Sequence, residues 1–182
     1  MTRPMNTAAY ERATSRPWQE WVDALDLAGA RDLPHPGIVP LVLADIDAAT
    51  VKNAHWWAQG ITIAYEQHIG RRIPGQRGDG TFAGTVSKTY SGSMDEAVAA
   101  WLALVKGRTE FLGLEVVAEP STSATEKWRY WRCGLVDDSK VNVTVNTASP
   151  GKSRVAVEHS RLASPEATAE AKAWWKALLA QL

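Results

Sequence analysis

The hydrophobic repeat changes period close to residue 80, and that change limits what the chain can fold into. Before it, apolar residues recur at helical spacing. Trp57, Ile61, Tyr65 and Ile69 stand at successive four-residue steps, predicting a helix over about 50–69 with Gly70 as its stop. Trp18, Trp21, Val22 and Leu25 make a similar stripe, opened near Ser15 and Pro17 and closed at Gly29. A Pro-rich connector at 33–37 leads into a short apolar helix at about 38–43, where Pro40 is tolerable only in the first turn. Residues 1–14 are polar and read as frayed or loosely docked. Three short amphipathic helices offer little mutual burial, so this segment is expected to pack on the second half of the chain.

After residue 80 the period falls to two. Val141, Val143 and Val145 alternate with Asn142, Thr144 and Asn146, and Val155 and Val157 with Arg154 and Glu158. With a segment at about 126–135, and turns at 136–139 and 148–151, they predict an antiparallel meander with one apolar face and one wet face. A strand at about 82–90 precedes it, with Phe82, Val86 and Tyr90 on one face. Between the two, Ser93-Met94-Asp95-Glu96 is a capping box that opens a helix carrying Val98, Trp101, Leu102 and Val105, ended by Gly107. The apolar run 114–117 fits a strand or an extended connector. Ser164-Pro165-Glu166 starts a terminal helix over 165–182. Its stripe of Ala167, Ala171, Trp174, Trp175, Leu178 and Leu182 is wide enough to cover the sheet. The expected fold is α+β, with a helical segment and Gly/Arg-rich linker at 1–80 and a sheet domain at 81–182.

Composition narrows the function classes. Formal charge is zero over 182 residues, and no basic cluster of the kind that grips a phosphate backbone is visible, so nucleic acid is not an expected partner. A near-neutral surface leaves a homodimer open. No apolar stretch approaches the ~18 residues of a membrane span, and no signal-type run opens the chain, which makes the cytoplasm the expected location. Cys133 is alone, in keeping with a reducing compartment. Nine tryptophans stand against two phenylalanines. A buried aromatic covers roughly 150–250 Å², worth about 4–6 kcal/mol gross, so most of these rings are expected to anchor cores.

Two stretches resemble known families. From Trp56 to Gly80 the chain reads Trp-Trp-Ala-Gln, then Tyr65-Glu66, then Gly70-Arg71-Arg72, ahead of a strand at Val86–Tyr90. This resembles an uncharacterised bacterial family of unknown function over about 35–90, with no chemistry assigned. The tail Lys-Ser-Arg-Val-Ala-Val-Glu-His at 152–159, followed by a helix with a Trp pair and closing leucines, resembles the START-like (SRPBCC) superfamily over about 84–182. Within it the likeness is to bacterial homologues of the activator of a heat-shock chaperone ATPase. The resemblance implies a helix-grip fold with a ligand cavity between sheet and terminal helix. The chain is short for that fold: between capped helix and meander it has room for one short strand, so a reduced sheet is expected.

Candidate site residues fall in two sets. Trp101, Trp128, Tyr130, Trp131 and His159 are the candidate wall of a ligand cavity, combining aromatic surface with a few polar groups. His159 shares the face of Val157 and reads equally as a satisfied core histidine. The segment around Trp128 reads either as a cavity wall or as an edge strand protected by cations. The second set is Tyr65, Glu66, Arg71, Arg72 and Gln76. Paired guanidinium groups match carboxylate or phosphate geometry, but a Glu66–arginine ion pair tying the helical half to the sheet is the favoured reading. His35, His55, His68 and His159 lack ligand spacing, so no metal is expected. No phosphate loop or nucleophile motif is present, and no cofactor is expected. The expected function is non-catalytic binding of a small apolar or amphipathic ligand. A protein-interaction or chaperone-associated module using exposed tryptophans, and an enzyme of the helix-grip superfamily, stand as alternatives.

Overall fold

A computed structural model describes residues 5–182 of the chain. It is an α+β fold with six α-helices among the described residues and an antiparallel five-stranded sheet followed by a C-terminal helix. The chain divides into two compact units, the second beginning at Gln76.

The first unit holds α1 (Thr7–Thr14), α2 (Trp18–Leu27), a 3-10 turn (Ala30–Asp32), α3 (His35–Asp45) and α4 (Ala54–His68). Four helices replace the expected three. The polar composition of α1 hides a single anchor, Tyr10, which is buried edge-on against Trp57 at 6.0 Å between ring centroids. Gly60 of α4 lets that ring approach, since a Cβ there would lie 2.9 Å from it. Residues 1–4, the rest of the segment expected to fray, lie outside the described residues. α3 starts three residues earlier than the pattern implies, with Pro36 in its first turn. Pro40 therefore sits inside the helix, beyond the first turn, where it removes one backbone donor. Trp21, Leu25, Ile38, Val42, Ala58, Ile61 and Tyr65 close the core of this unit. The unit thus has a buried core of its own, contrary to the expectation that its helices bury little mutually.

The second unit runs through β1 (Phe82–Ser91), α5 (Met94–Val105), β2 (Glu110–Phe111), β3 (Leu114–Glu115), β4 (Ser121–Ala124), β5 (Arg129–Gly134), β6 (Lys140–Ser149), β7 (Lys152–Leu162) and α6 (Pro165–Leu179). The large sheet has the order β1-β7-β6-β5-β4, and β2 and β3 form a separate small hairpin. Ser93 and Glu96 form the capping box at α5, and the Ser164 hydroxyl accepts from the Ala167 amide to cap α6. The stretch between α5 and the meander holds three short strands where room for one was expected. β4 is polar and fully exposed, so no hydrophobic alternation marks it. It forms because Ser121–Ala124 pairs with Arg129–Arg132 across a tight turn, in which the Thr125 amide donates to the Trp128 carbonyl.

Odd-numbered residues of β5 to β7 turn inward. Trp131, Val141, Val143, Val145, Val155, Val157 and His159 are all buried there, beneath α5 and α6. α6 buries Ala171, Trp175, Leu178 and Leu179, and the Lys88 ammonium donates to the Ala180 carbonyl at its C-terminal end. Deleting residues 164–182 would uncover this whole face. The truncated protein is expected to lose cooperative unfolding in calorimetry and its near-ultraviolet dichroism; a sharp melt at the original temperature would contradict the packing.

Candidate functional site

The five aromatic and polar residues expected on one wall divide between the two faces of the sheet. Strand alternation decides this. Trp131 and His159 point inward, Trp131 against Trp101 of α5 and His159 against Trp175 of α6, and all four are buried. Tyr130 lies on the opposite face, where Trp128 stacks beside it at 6.4 Å and the Arg132 guanidinium lies 4.6 Å from its ring centre. The two sets share no wall. The inner set gains two rings that sequence reasoning had not put in the site. Phe111 lies 5.7 Å from Trp131 and 5.5 Å from Trp175, and Trp101 lies 5.5 Å from Trp131. Phe111 was hidden because its two-residue strand has no periodicity to read.

His159 occupies one end of this ring cluster in a hydrogen-bond chain whose proton positions follow from chemistry. The Trp175 indole nitrogen can only donate, and it lies 3.1 Å from His159 Nδ1, so Nδ1 carries a lone pair. The ring proton is then on Nε2, which donates to Ser139 Oγ at 2.8 Å. The Ser139 hydroxyl in turn donates to Asp137 Oδ1 at 2.6 Å, and its amide donates to the same oxygen. Serine, histidine and aspartate stand together, but in the wrong order for nucleophilic catalysis. The histidine lone pair faces an indole, and the serine proton is directed at the carboxylate. Burial lowers the His159 pKa below its ordinary 6.5, outweighing the opposing pull of Asp137. The Asp137-Asp138-Ser139 turn was the available sequence signal for this chain.

The polar set of the first unit is committed within that unit. Glu66 is buried and pairs with His35 Nδ1 at 3.0 Å and Arg72 Nη1 at 3.4 Å, while His35 Nε2 faces Gln59 at 2.9 Å. Arg71 donates to the carbonyls of Leu33 and Arg31, and so holds the end of the 3-10 turn. The Tyr65 hydroxyl donates to Asp26 at 2.5 Å, and Asp26 also takes a two-point bond from Arg31. Burial, then the Asp26 contact, pushes the Tyr65 pKa up to about 12. The Arg31 hydrogen bond, then that of Tyr65, holds Asp26 below the usual carboxylate range. The expected ion pair between helical half and sheet is instead a pair between α4, the segment after it and the start of α3. Gln76 stands apart from this set and donates to the Gly80 carbonyl at 2.9 Å.

No protein-family model and no curated protein matches the chain. Among solved structures, CalU16 from Micromonospora echinospora is 13% identical, with a TM-score of 0.37 over 53% of this chain and 68% of that one. The Mll3558 protein from Rhizobium loti is 16% identical, with a TM-score of 0.31 over 56% of this chain and 97% of that one. Likenesses this distant carry no functional argument.

One atom of the inner cluster stands out. The Trp101 indole N–H is fully buried and has no hydrogen-bond partner among the described residues. A buried unpaired donor costs about 1–3 kcal/mol, and native proteins keep few of them. Cys133, whose thiol burial raises to about 11, is a packed side chain rather than a nucleophile. No group of three or more His, Cys, Asp or Glu side chains able to hold a metal occurs among the described residues. No helix there is long and apolar enough to cross a membrane.

Two outcomes follow from the buried polar groups. Because His159 is neutral when folded, stability is complete above its unfolded pKa of about 6.5 and falls as acid protonates only the unfolded chain, by at most about 1.4 kcal/mol per pH unit. His159→Gln, which can still accept from Trp175 and donate to Ser139, is expected to flatten the stability curve between that pH and the carboxylate range; an unchanged slope in denaturant titrations would contradict the assignment. Arg72→Ala leaves the buried Glu66 carboxylate short of a cation and is expected to cost about 1–3 kcal/mol by urea unfolding. Unchanged stability together with lost binding of an anion would restore the anion-site reading.

Proposed function

We propose that the second unit is a reduced helix-grip domain of the START-like (SRPBCC) superfamily, and that it binds a small, largely apolar molecule without transforming it. The element order supports the family reading: strand, capped helix, antiparallel meander, terminal helix across the sheet. One observation carries the binding reading, the unpaired Trp101 N–H within a cluster of aromatic rings. A ligand presenting one hydrogen-bond acceptor and otherwise apolar surface would satisfy it, the usual makeup of small-molecule sites. Phe111 is the ring to displace. It rides on the β2–β3 hairpin, whose strands are two residues each, and a ligand ring in its place would take over its contacts with Trp131, Trp174 and Trp175. In the first unit, the likeness to the uncharacterised bacterial family adds a lineage and no chemistry.

A second reading is favoured by a different residue. Trp56 is 66% exposed, stands edge-on to Trp57 at 4.7 Å and borders a cleft of about 680 Å³. An exposed tryptophan beside a hollow is a typical anchor for a protein partner, a second copy of this chain or a chaperone component included.

Titration with fatty acids and flat aromatic carbonyl compounds decides between them. A core ligand is expected to quench tryptophan emission and to stabilise the fold by about 2.7 kcal/mol at a hundredfold excess over Kd. Trp101→Phe is expected to weaken acceptor-bearing ligands about tenfold and leave their hydrocarbon analogues unaffected. If no compound raises the melting temperature, and Trp56→Ala abolishes a concentration-dependent increase in mass, the interaction reading replaces this one.

A further inference from the structure

A second orphan polar atom lies on the wet face of the sheet, away from the ring cluster. Asn142 is on β6, directly opposite Arg132 of β5 on one side and Glu158 of β7 on the other. Its Oδ1 is buried and has no hydrogen-bond partner among the described residues. Two residues along, on the same face, Gly134 faces Lys140. The two pairs, with Cys133 and Val141 between them and the loop that carries Glu119 and leads into Ser121, line a cleft of about 410 Å³.

Lys140 is held over this cleft. A Cβ at Gly134 would come within 3.3 Å of the Lys140 Nζ and 3.2 Å of Val117 Cγ2, so the bare glycine leaves room for the ammonium to lie across the strand. The same charge is felt by the neighbouring Cys133 thiol. Yet no carboxylate of the described residues lies within ion-pair distance of Lys140, and no other atom takes a hydrogen bond from its ammonium. Glu158, the acid nearest in register, is engaged by Arg77 at 3.0 Å. Arg132 reaches the other way, donating to Ser123 and lying over Tyr130, and its charge still borders the cleft. The cleft thus holds an exposed ammonium without an ion-pair partner, a nearby guanidinium, the Glu119 carboxylate on its loop side and an acceptor oxygen without a donor among the described residues.

We infer that this cleft is a binding site for a small carboxylate carrying an adjacent hydroxyl or amino group. The carboxylate meets Lys140, with Arg132 adding to the positive field, and the neighbouring O–H or N–H donates to Asn142 Oδ1. Each half of such a ligand supplies what the protein lacks at that point. A simple carboxylate leaves the Asn142 oxygen unpaired, and a simple alcohol leaves the ammonium unneutralised. The site shares no residue with the ring cluster around Trp101, so the two can fail separately.

The test is a chemical-shift titration of the full chain with lactate and serine, and with acetate and propanediol as half-ligands. Lactate or serine is expected to shift the amides of 132–142 and to bind at least about tenfold more tightly than either half-ligand. Lys140→Met, an exposed substitution that leaves the fold intact, is expected to abolish that preference. Lys140→Arg is expected to keep it, and Asn142→Leu to reduce lactate to the affinity of acetate. Equal weak affinities for all four compounds would show that Asn142 Oδ1 takes no donor from the ligand and would overturn the assignment. So would a preference that survives Lys140→Met.

Discussion

Trp175 answers two demands at once, and the inner half of the sheet unit depends on both. Its ring completes the cluster formed with Trp101, Phe111 and Trp174, and its N–H fixes the tautomer of His159. A buried imidazole is acceptable only when both nitrogens are paired. That pairing requires α6 to cross the sheet at the height of β7, with the indole edge turned toward the histidine. The position of the terminal helix is therefore set by a directional bond as well as by burial. The chain then runs through Ser139 to Asp137, so the same indole also anchors the β5–β6 turn. Hydrophobic contact alone would tolerate some sliding of the helix; this hydrogen bond does not.

The helical unit is organised around a different kind of constraint. Glu66 and Tyr65 are adjacent on α4 and both are buried, yet each serves a separate connection. Glu66 gathers His35 from the start of α3 and Arg72 from the segment after α4, while Tyr65 reaches Asp26 near the end of α2. Arg71 then closes the 3-10 turn by capping its carbonyls. The apolar core of this unit packs the helices together but does not by itself fix the segments that join them. Its connections are held by polar groups that would be costly to leave unpaired. The guanidinium groups that looked available to an anion are occupied by this task.

The strands and helices with strong periodicity were legible in the sequence, and the weakly patterned ones were not. β6 and β7 announce themselves because each has a valine row on one face and polar residues on the other. The capping box at Ser93 and Glu96 is visible for the same reason: local chemistry settles it. α1 was missed because one tyrosine carries its burial, and β4 because an exposed polar edge has no pattern to find. For the site, alternation should have separated Trp128 and Tyr130 from Trp131, since even and odd positions of one strand cannot share a wall. Grouping them by type overrode that geometry. Phe111 could not be placed from sequence, because its ring partners are distant in the chain and its two-residue strand shows no period; Ser139 was visible only as part of a turn, without its link to His159.

The distribution of aromatic side chains alone does not identify a binding place here. Trp21, Trp101, Trp131 and Trp175 are buried, Trp56 and Trp128 are exposed, and composition treats them alike. What distinguishes one buried ring from another is whether its polar atom is paired. The Trp175 N–H has His159 and the Trp21 N–H has Thr14, so both are accounted for by folding. The Trp101 N–H has no partner among the described residues, and neither does Asn142 Oδ1 on the opposite face. Thr62 Oγ1 in the helical unit is a third such atom, but a threonine hydroxyl within a helix can turn to the carbonyl one turn back, which lessens its weight. An indole N–H has no such escape, whereas a carboxamide can exchange its oxygen and nitrogen by a half-turn. Folding favours pairing every buried polar group, so an atom left over on each face is what the two binding proposals rest on: an acceptor among rings would pair the inner one, and a donor beside a negative charge the outer one.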